Sequence, residues 1–525
     1  MKKIFTYILG LTSLCVMSSC EMDQPSTSSI PFDRAFSDLG AIESLERGAY
    51  SRLRTTYSLN AMIAADIQTD YAHAVNGFSN TYGNLYRWVY TADASEVEDT
   101  WNNLYGGIGF YNFIIDGITS HLGFEPTASE EASLNRILGT AYLMRAMSYT
   151  MLAERFCGAY DGATATKEYS GVPLAKTYDT GNTPARSNLE DTYDLIIDDL
   201  KQAEKLLYSV AGSANSTTLH KDCVTAMQAR VYLLMGEYGE ALKKASQLIG
   251  NSTYSLAGSP DEFRKMWEYD ESPETLFQFY ASTNELAYTW GYYFCSDYYN
   301  GTNPDQHMMM PDYIPTKTCL DMFEEGDWRR STYFVDCSAD TPIDGVWWLP
   351  YIKGQGMLAD NLVLFYKYPG NPDLRTSSSW NYYNTWKVFR IAEMYLIAAE
   401  AALQTPGGDA LTPLNALREH RGLEKLEGDV TLKDVQDERY REMLLEGNRL
   451  TDIKRWGLDL QRGEPQTGLL SATGGNPWKQ GTFITELDSD LRKEAGHYMF
   501  VWPIPESEIF ANQQLASQQN PGWKR

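Results

Sequence analysis

The sequence lacks the short motifs that many hydrolases and phosphoryl-transfer enzymes carry. It contains no G-x-S-x-G nucleophile elbow, no H-E-x-x-H zinc motif and no glycine-rich phosphate-binding loop. Glycosidases use two carboxylates at a set separation in space, and among 69 acidic residues chance pairs are unavoidable. The histidines show no metal-ligand spacing and lie at positions 73, 121, 220, 307, 420 and 497. We therefore expect a binding protein without catalytic residues, not an enzyme.

Positive charge is also scarce. The chain has 44 Lys and Arg against 69 Asp and Glu, which gives a formal net charge of −25. Such an acidic chain argues against nucleic acid or an anionic membrane as the main partner. Aromatic residues, in contrast, reach 13%, with 36 Tyr and 13 Trp. Because Tyr and Trp combine a flat apolar face with a polar group, a neutral ligand or a protein partner fits this composition better.

Cysteine spacing matches no zinc or redox motif. Of seven cysteines, two lie in the N-terminal segment described below, which leaves an odd number of five. We expect most of these five to be buried as small hydrophobic side chains. One disulfide among Cys295, Cys319 and Cys337 stays open as an alternative for a protein outside the cytoplasm.

The stretch DCSADTPIDG offers oxygen ligands for calcium at Asp336, Ser338, Asp340 and Asp344. Its sixth position is Thr341, where an EF-hand loop requires glycine. We therefore expect a solvated turn here and keep calcium as the alternative. We expect no other metal and no cofactor.

The N-terminus has the pattern of a bacterial lipoprotein signal peptide. Two lysines precede an apolar run from Ile4 to Met17, which is short for a membrane span. Two serines then precede Cys20, so we predict a signal peptide over residues 1–19 and lipidation of Cys20. Residues 20–35 are first acidic and then rich in Ser and Pro, which predicts a flexible tether. Ordinary secretion with Cys20 as a free thiol is the alternative.

Hydrophobic periodicity predicts a mainly α fold. Apolar residues recur at helical spacing in eight stretches: 39–53, 101–118, 134–156, 187–207, 224–248, 389–403, 412–421 and 431–456. Thr412 and Pro413 look like an N-cap and first helical residue, and Thr431 with Asp434 resembles a capping box. Between the helices, residues 61–95 and 281–315 are loop-like, aromatic and rich in Asn, Asp and Gly. Loops this long inside a compact domain are usually functional.

Several blocks, in order, resemble the SusD/RagB family of outer-membrane lipoproteins. They are LGTAYLMRAMSYTMLAERF with GVPL, SNLEDTYDLIIDDLKQAEKLL, AMQARVYLLMGEYGEALKKA, VFRIAEMYLIAAEAAL, EMLLEGNRLTDIKRWG and WPIPESEIFANQQLASQQNPGW. The third also matches the tetratricopeptide pattern through Gly236, Tyr238 and Ala241. One departure is an insert between Gly158 and Gly171 that is longer than the family leads us to expect.

The resemblance implies a SusD-like domain over residues 36–525. Tetratricopeptide-like helical hairpins would form one side, and an irregular half, mainly residues 61–100 and 281–380, would bind the ligand. Family members bind glycan at the cell surface and act as the lid of a SusC-like TonB-dependent transporter, so we expect an outer-membrane protein anchored by lipid and facing the exterior. RagB-like peptide binding and a pure protein scaffold are the alternatives.

The two aromatic segments supply the predicted ligand contacts. A sugar ring presents an apolar C–H face and a rim of hydroxyls, which an aromatic ring and nearby polar side chains can cover. We expect Trp88 and Trp290 to stack on the sugar. The full predicted set is Asp66, Asp70, Tyr71, Arg87, Trp88, Tyr288, Trp290, Tyr298, Tyr299 and Asn300. The alternation in YRWVY also fits a half-buried strand, in which Trp88 would be a core residue.

We interpret the most charged stretch, Glu438 to Gly457, as a structural element and not as a ligand site. Wound as one helix from Thr431 to Trp456, its charges fall at the edge of the buried face, where they need partners. Helical spacing would pair Glu442 with Glu446 and Arg449, and Asp452 with Arg455. We predict a structural ion-pair lattice formed by Arg439, Glu442, Glu446, Arg449, Asp452 and Arg455.

Overall fold

The computed structural model describes most of the chain from residue 32 onward. The described residues are 32–285, 288–295, 297–298, 306–338, 347–376, 382–472, 479–481, 484–486 and 491–523. Cys20 and the signal peptide, together with Tyr299, Asn300, Asp340 and Asp344, lie outside these ranges, as does the side chain of Tyr298.

Helices dominate, which confirms the predicted mainly α fold. Their bounds are α1 Phe32–Ala35, α2 Leu39–Thr56, α3 Ile63–Ile67, α4 Gly83–Tyr86, α5 Ser95–Ser120, α6 Ala128–Phe156, α7 Leu189–Leu207, α8 Lys221–Met235, α9 Tyr238–Ile249, α10 Pro260–Glu268, α11 Tyr292–Cys295, α12 Lys317–Asp321, α13 Trp328–Tyr333, α14 Ile391–Gln404, α15 Leu411–Glu419, α16 Leu432–Glu442, α17 Arg449–Arg455 and α18 Glu506–Ala511. Short 3-10 turns cover Pro372–Leu374, Tyr498–Phe500 and Gln513–Ser517.

The long helices pack as successive antiparallel neighbours. Contacts run from α2 to α5 and then through α6, α7, α8 and α9 to α14, which also packs on α15 and α16. Small residues allow close approach: a Cβ added at Gly139 of α6 would lie 2.8 Å from Leu207 of α7. This layer is the predicted series of helical hairpins.

Local sequence signals explain most helix ends. The predicted capping box is present at α16, where the Asp434 carboxylate accepts the Thr431 N–H at 2.8 Å and the Thr431 hydroxyl accepts the Asp434 N–H at 3.3 Å. The predicted stretch 224–248 divides into α8 and α9 because Gly236 adopts φ +74° and ends the first helix. The proposed cap at Thr412 is wrong, since α15 already begins at Leu411.

The predicted single helix over 431–456 is also divided. It stops at Glu442 and resumes at Arg449 as α17, because Leu445 and Gly447 adopt φ +56° and +76°. Left-handed backbone cannot continue an α-helix, so the chain changes direction between α16 and α17. As a result, the carboxylates of the charged stretch face several other segments.

Short strands are concentrated in the second part of the molecule. They are β1 Ala72–Ala74, β2 Thr275–Gln278, β3 Tyr288–Thr289, β4 Asp297–Tyr298, β5 Gln306–Met309, β6 Tyr313–Pro315, β7 Phe334–Cys337, β8 Trp347–Ile352, β9 Met357–Asp360, β10 Leu362–Phe365, β11 Tyr383–Asn384, β12 Lys387–Arg390, β13 Leu460–Gln461, β14 Gly468–Ser471, β15 Lys479–Gly481 and β16 Arg492–Lys493. One sheet has the order β15-β14-β9-β8-β5-β4, in which β5 and β8 are parallel. The other sheets are two-stranded and antiparallel, pairing β1 with β6, β2 with β12, β3 with β11, β7 with β10 and β13 with β16.

The core has one large hydrophobic cluster, which runs through the helical layer, and a smaller one between the strands that includes Ile314, Ile352 and Leu470. The five cysteines outside the N-terminal segment are buried thiols, so no disulfide joins Cys295, Cys319 or Cys337. Within the described ranges, no helix has the length and apolar character of a bilayer span, and no group of acidic, histidine or cysteine side chains could hold a metal. The first described helix begins at Phe32, inside the predicted tether, and Ala35 at its end is buried.

Candidate functional site

The charged stretch forms a buried ion-pair network. The Glu442 carboxylate accepts hydrogen bonds from Arg390 Nη1 at 2.8 Å and Arg421 Nη2 at 2.9 Å on Oε1, and from Arg421 Nε at 2.8 Å and Arg329 Nη1 at 3.2 Å on Oε2. Burial alone would raise the pKa of Glu442, but the Arg421 and Arg390 guanidinium groups outweigh it and hold that pKa well below its ordinary value. Because both oxygens of the Glu442 carboxylate already accept two hydrogen bonds from arginines, they are not available to a ligand.

A second part of the network surrounds Lys367. Its Nζ donates to Glu446 Oε1 at 2.6 Å and to the Leu444 carbonyl at 2.7 Å, and lies 4.1 Å from the centre of the Trp267 ring. Burial lowers the pKa of Lys367 to about 7, although Glu446 acts in the opposite direction. Glu446 also pairs with Arg390 at 3.0 Å.

The remaining lattice residues link α16 and α17 to the helical layer. Arg439 Nε donates to Asp452 Oδ2 at 2.7 Å, and Arg455 Nε donates to Asp452 Oδ1 at 2.8 Å. Arg455 also pairs with Glu400 of α14, and Trp456 Nε1 donates to that same carboxylate at 2.9 Å. The predicted role of these residues in structural ion pairs is therefore confirmed, and so is the Asp452–Arg455 pair. The predicted pairing of Glu442 with Arg449 is wrong, because Arg449 pairs with Asp70. Most partners of Glu442 and Glu446, however, come from distant segments and not from their own helix.

Arg449 shows how the lattice reaches the predicted ligand residues. Its guanidinium forms two hydrogen bonds with Asp70, at 2.9 and 2.7 Å, instead of the predicted pairing along the helix. Asp66 is fully buried, and its carboxylate accepts the backbone N–H groups of Gly447 at 2.7 Å and Arg449 at 3.1 Å. Burial raises the pKa of Asp66 to about 7, against the two backbone hydrogen bonds. The prediction that Asp66 contacts the ligand is wrong, and Asp70 serves as an anchor for α17.

Tyr71 and Trp88 are core residues. Tyr71 is 1% exposed, with its ring 4.7 Å from that of Tyr440. Trp88 is 4% exposed, and its Nε1 donates to the Gln68 carbonyl at 2.9 Å. Both side chains would have to leave the core to reach a sugar, so neither is a ligand contact in this structure. YRWVY is also not a strand, because α4 ends at Tyr86 and Trp88 adopts φ +58°.

Trp290 is likewise a core residue. It is 1% exposed, with its ring centroid 4.1 Å from Trp386 and 6.2 Å from Tyr368. Tyr288, half-buried, places its ring edge against Trp290 at 5.7 Å. The predicted stacking role of Trp290 is wrong, because aromatic neighbours already cover its ring. Tyr298, Tyr299 and Asn300 remain predictions, since the structure does not describe their side chains.

Arg87 is the predicted residue that lies at the surface among polar neighbours. Its Nε and Nη2 donate to Glu486 at 2.9 and 2.7 Å, and its Nη1 donates to Asn80 Oδ1 at 2.7 Å. The Arg87 and Glu486 side chains are each 25% exposed. The guanidinium also lies over the ring of Phe78, at 5.1 Å from its centroid. We call the surrounding surface, formed by residues 76–87, 291–293, 312, 353–354 and 484–486, the loop junction.

Backbone contacts hold the segments of the loop junction together. Asn76 N donates to the Ile484 carbonyl at 2.8 Å, and Gly354 N donates to the Asn76 carbonyl at 2.9 Å. Gly77 has φ +76°, and a Cβ there would lie 2.2 Å from the backbone nitrogen of Gly354. A polar cluster lies on this frame, in which Asp312 Oδ1 accepts the Ser79 N–H at 2.9 Å and lies 4.0 Å from Lys353 Nζ.

Aromatic side chains complete the surface. The Tyr82 ring contacts the edge of the Tyr293 ring at 5.4 Å, and Tyr293 contacts Tyr292 at 5.3 Å. Tyr292 is 51% exposed. Because the Tyr293 carbonyl also accepts the Asp312 N–H at 2.9 Å, this aromatic row and the polar cluster are parts of one surface. The junction therefore combines an open aromatic face with fixed charged and amide groups.

Sequence reasoning missed most of this constellation. Tyr292 lies in the aromatic segment 281–315, but the predicted set contains Tyr288 and Trp290 and not Tyr292. Asp312, Lys353 and Glu486 come from three distant parts of the chain, and no local pattern indicates that they meet. No local pattern in the sequence distinguishes the exposed Tyr292 from the buried Trp290.

The fold and this surface define a class: a helical-repeat protein with an open surface of aromatic and polar side chains. Two family models match the sequence, one described as "SusD family" over residues 287–523 and one described as "Starch-binding associating with outer membrane" over residues 24–233. The chain belongs to the SusD-like family.

Relatives agree with this assignment. The starch-binding protein SusD of Bacteroides thetaiotaomicron is 33% identical over 137 residues, which is 26% of this chain and 21% of that protein. A SusD-like protein of Formosa agariphila is 24% identical over 277 residues, or 51% of this chain and 50% of that protein. These alignments thus span half or less of the relatives' length. A structure titled as a putative sugar binding protein from Bacteroides vulgatus has a TM-score of 0.72 at 24% identity, covering 93% of this chain and 99% of that one.

Proposed function

We propose that this chain captures carbohydrate at the outer membrane and holds it at the loop junction. The observation that carries the proposal is the exposed Tyr292 ring, which contacts Tyr293, whose carbonyl accepts the backbone N–H of Asp312 on the polar part of the junction. An aromatic face covers the C–H face of a sugar, and the polar groups bond its hydroxyls. Family membership supports the ligand class, since a relative and a family model are described as starch-binding.

The electrostatics of the junction favour a neutral ligand. Arg87 already pairs with the Glu486 carboxylate through two hydrogen bonds, and Lys353 faces Asp312. An anionic ligand would have to compete with these carboxylates in a chain of net charge −25. Sugar hydroxyls can instead donate to the carboxylates and accept from the guanidinium without disrupting either pair. A neutral glycan therefore fits this surface better than an acidic peptide.

The mechanism is binding without bond-making. We further propose, on the family resemblance, that the protein acts as the lid of a SusC-like TonB-dependent transporter and is anchored through a lipid on Cys20, facing the exterior. The acidic chain fits a neutral glycan and a protein partner better than nucleic acid.

Affinity electrophoresis of the chain from Glu21 to Arg525 tests the proposal, with gels containing amylopectin, inulin, arabinoxylan or mucin. We expect retention by at least one polysaccharide. Tyr292→Ala should weaken that binding by about 5- to 150-fold, which corresponds to roughly 1 to 3 kcal/mol for an exposed aromatic anchor. Tyr208→Ala is the matched control, because Tyr208 is 74% exposed and lies outside the loop junction.

Two results would contradict the proposal. One is a parent protein that no polysaccharide retards while a casein digest binds to it, which would favour the peptide alternative. The other is equal retention of the parent, Tyr292→Ala and Tyr208→Ala proteins, which would remove the loop junction as the site.

A further inference from the structure

The insert between Gly158 and Gly171, longer than the family pattern, folds as an ordered loop. Ala165 N donates to the Asp161 carbonyl at 2.8 Å, and the Ala165 carbonyl accepts the N–H of Leu189, the first residue of α7, at 2.9 Å. Ala165 is 1% exposed. The Ser170 hydroxyl accepts the Leu189 N–H at 3.0 Å, so the middle and the C-terminal end of the loop are fixed to the start of one helix.

This loop borders a groove of about 480 Å³ that is separate from the loop junction. Two other segments complete the groove, namely residues 496–501 and residues 517–521 near the C-terminus. No residue that lines it belongs to the loop junction as defined above. The insert therefore creates a surface that the proposed function does not use.

Two tyrosines from different segments line the groove. Tyr169 of the insert and Tyr498 are each 42% exposed. Tyr169 adopts φ +61°, a conformation that is uncommon for a bulky residue and that marks positions held by their surroundings. Exposed, fixed tyrosine rings offer contact area at a small conformational-entropy cost.

Contacts with Trp523 and with the backbone of Gly522 hold the Tyr498 ring in place. The edge of its ring meets Trp523 at 5.2 Å, and Trp523 Nε1 donates to the Val501 carbonyl at 2.8 Å. A Cβ added at Gly522 would lie 2.4 Å from the Tyr498 ring, so the ring packs directly on the glycine backbone. The exposed face of Tyr498 is thus preorganised.

The polar lining indicates an uncharged ligand. Its charged side chains, Lys167 and Glu168, are adjacent and of opposite sign. The side-chain amide of Gln519 forms two hydrogen bonds with the backbone of Ile504, both at 2.8 Å, so its role is structural. Aromatic faces with a balanced polar rim suit a sugar ring better than a charged peptide.

We propose that this groove is a second carbohydrate-binding site, in which Tyr169 and Tyr498 contact the rings of the same kind of glycan that the loop junction binds. The inference rests on the proposed function for its ligand class. A second site on the same chain would let one polysaccharide engage two surfaces and raise its apparent affinity by effective concentration.

Hydrogen–deuterium exchange tests the groove directly, with the chain from Glu21 to Arg525 and an oligosaccharide cut from whichever polysaccharide retains the parent. We expect protection of peptides covering residues 76–87 and, separately, residues 158–170 and 496–501. Tyr169→Asn and Tyr498→Ala remove each ring, and asparagine tolerates the left-handed backbone of position 169. Each variant should lose the groove protection, keep the protection of residues 76–87, and bind the polysaccharide about tenfold more weakly.

Tyr208→Ala and Tyr292→Ala separate the two sites. Tyr208→Ala should behave as the parent, and Tyr292→Ala should lose protection at the loop junction alone. Protection of residues 76–87 without protection of the groove would overturn the second site and leave the proposed function standing. A parent that shows protection nowhere and no retention by any polysaccharide would overturn both.

Discussion

Replacing Glu442 with Gln tests whether the charged stretch is scaffold. The substitution preserves the shape of the side chain but removes a negative charge that contacts three guanidinium groups, those of Arg329, Arg390 and Arg421. The new side-chain amide would also place its own N–H donors against the N–H donors of these guanidinium groups. Removing one partner of a buried ion pair typically costs about 3 to 5 kcal/mol of stability.

The structure places this substitution near the lower end of that range. Arg421 keeps Glu274, at 2.8 Å, and Arg329 keeps Asp327, at 2.9 Å, so neither guanidinium is left without a carboxylate. We therefore expect the free energy of unfolding to fall by about 3 kcal/mol, a large share of the roughly 5 to 15 kcal/mol that stabilises a folded protein.

Urea unfolding followed by fluorescence measures this change, with Asp437→Asn as the matched control on the same helix. Asp437 pairs with Lys433, but their side chains are 30% and 69% exposed, so its loss should cost only about 0.3 to 0.5 kcal/mol. Glu442→Gln should still bind glycan at low urea. A Glu442→Gln protein as stable as Asp437→Asn, or one that is fully stable and has lost glycan binding, would refute the scaffold assignment.

Three further predictions concern the core, the pH dependence and the loop junction. Trp290→Ala should lower the free energy of unfolding by about 3 to 5 kcal/mol, because it leaves a cavity beside Trp386; a stable variant that fails to bind glycan would restore Trp290 as a contact. Burial holds the pKa of Lys367 at about 7, against about 10.4 when unfolded, so the unfolded state binds more protons between these values. The stability of the parent relative to Lys367→Met should therefore rise with pH from about 7 to 9.5 in urea unfolding, and a difference independent of pH would contradict the burial of this charge. Gly77→Ala should lower the thermal midpoint and weaken glycan binding together, because its Cβ would meet the Gly354 backbone; unchanged affinity would show that the junction tolerates a shift.

Local signals in the sequence predicted the helices well and their interruptions poorly. The capping box at Thr431 and the start of α2 follow from residues within one turn of each other. The break after Glu442 depends on the left-handed backbone at Leu445, for which leucine gives no signal. The break depends instead on tertiary contacts, because the carboxylates of this stretch pair with arginines on other segments.

The candidate site was harder to predict for the same reason. Trp88 and Trp290 are the residue types that stack on sugars, but they are also large hydrophobic side chains, and here burial determines where they lie. The predicted contact of Arg87 with the ligand stays a prediction, and its partner Glu486 is 399 residues away in the chain. Periodicity and composition identify exposed or buried faces of single elements, and they do not indicate which loops converge.

We propose that carbohydrate binds at the loop junction and not at the charged stretch. A crystal structure of the chain from Glu21 to Arg525 with an oligosaccharide from the retained polysaccharide tests this proposal. We expect a sugar ring against Tyr292, with hydroxyls within hydrogen-bond distance of Arg87 or Asp312. A sugar bound on the helical layer, or in contact with the carboxylates of Glu442 and Glu446, with the loop junction empty, would contradict it.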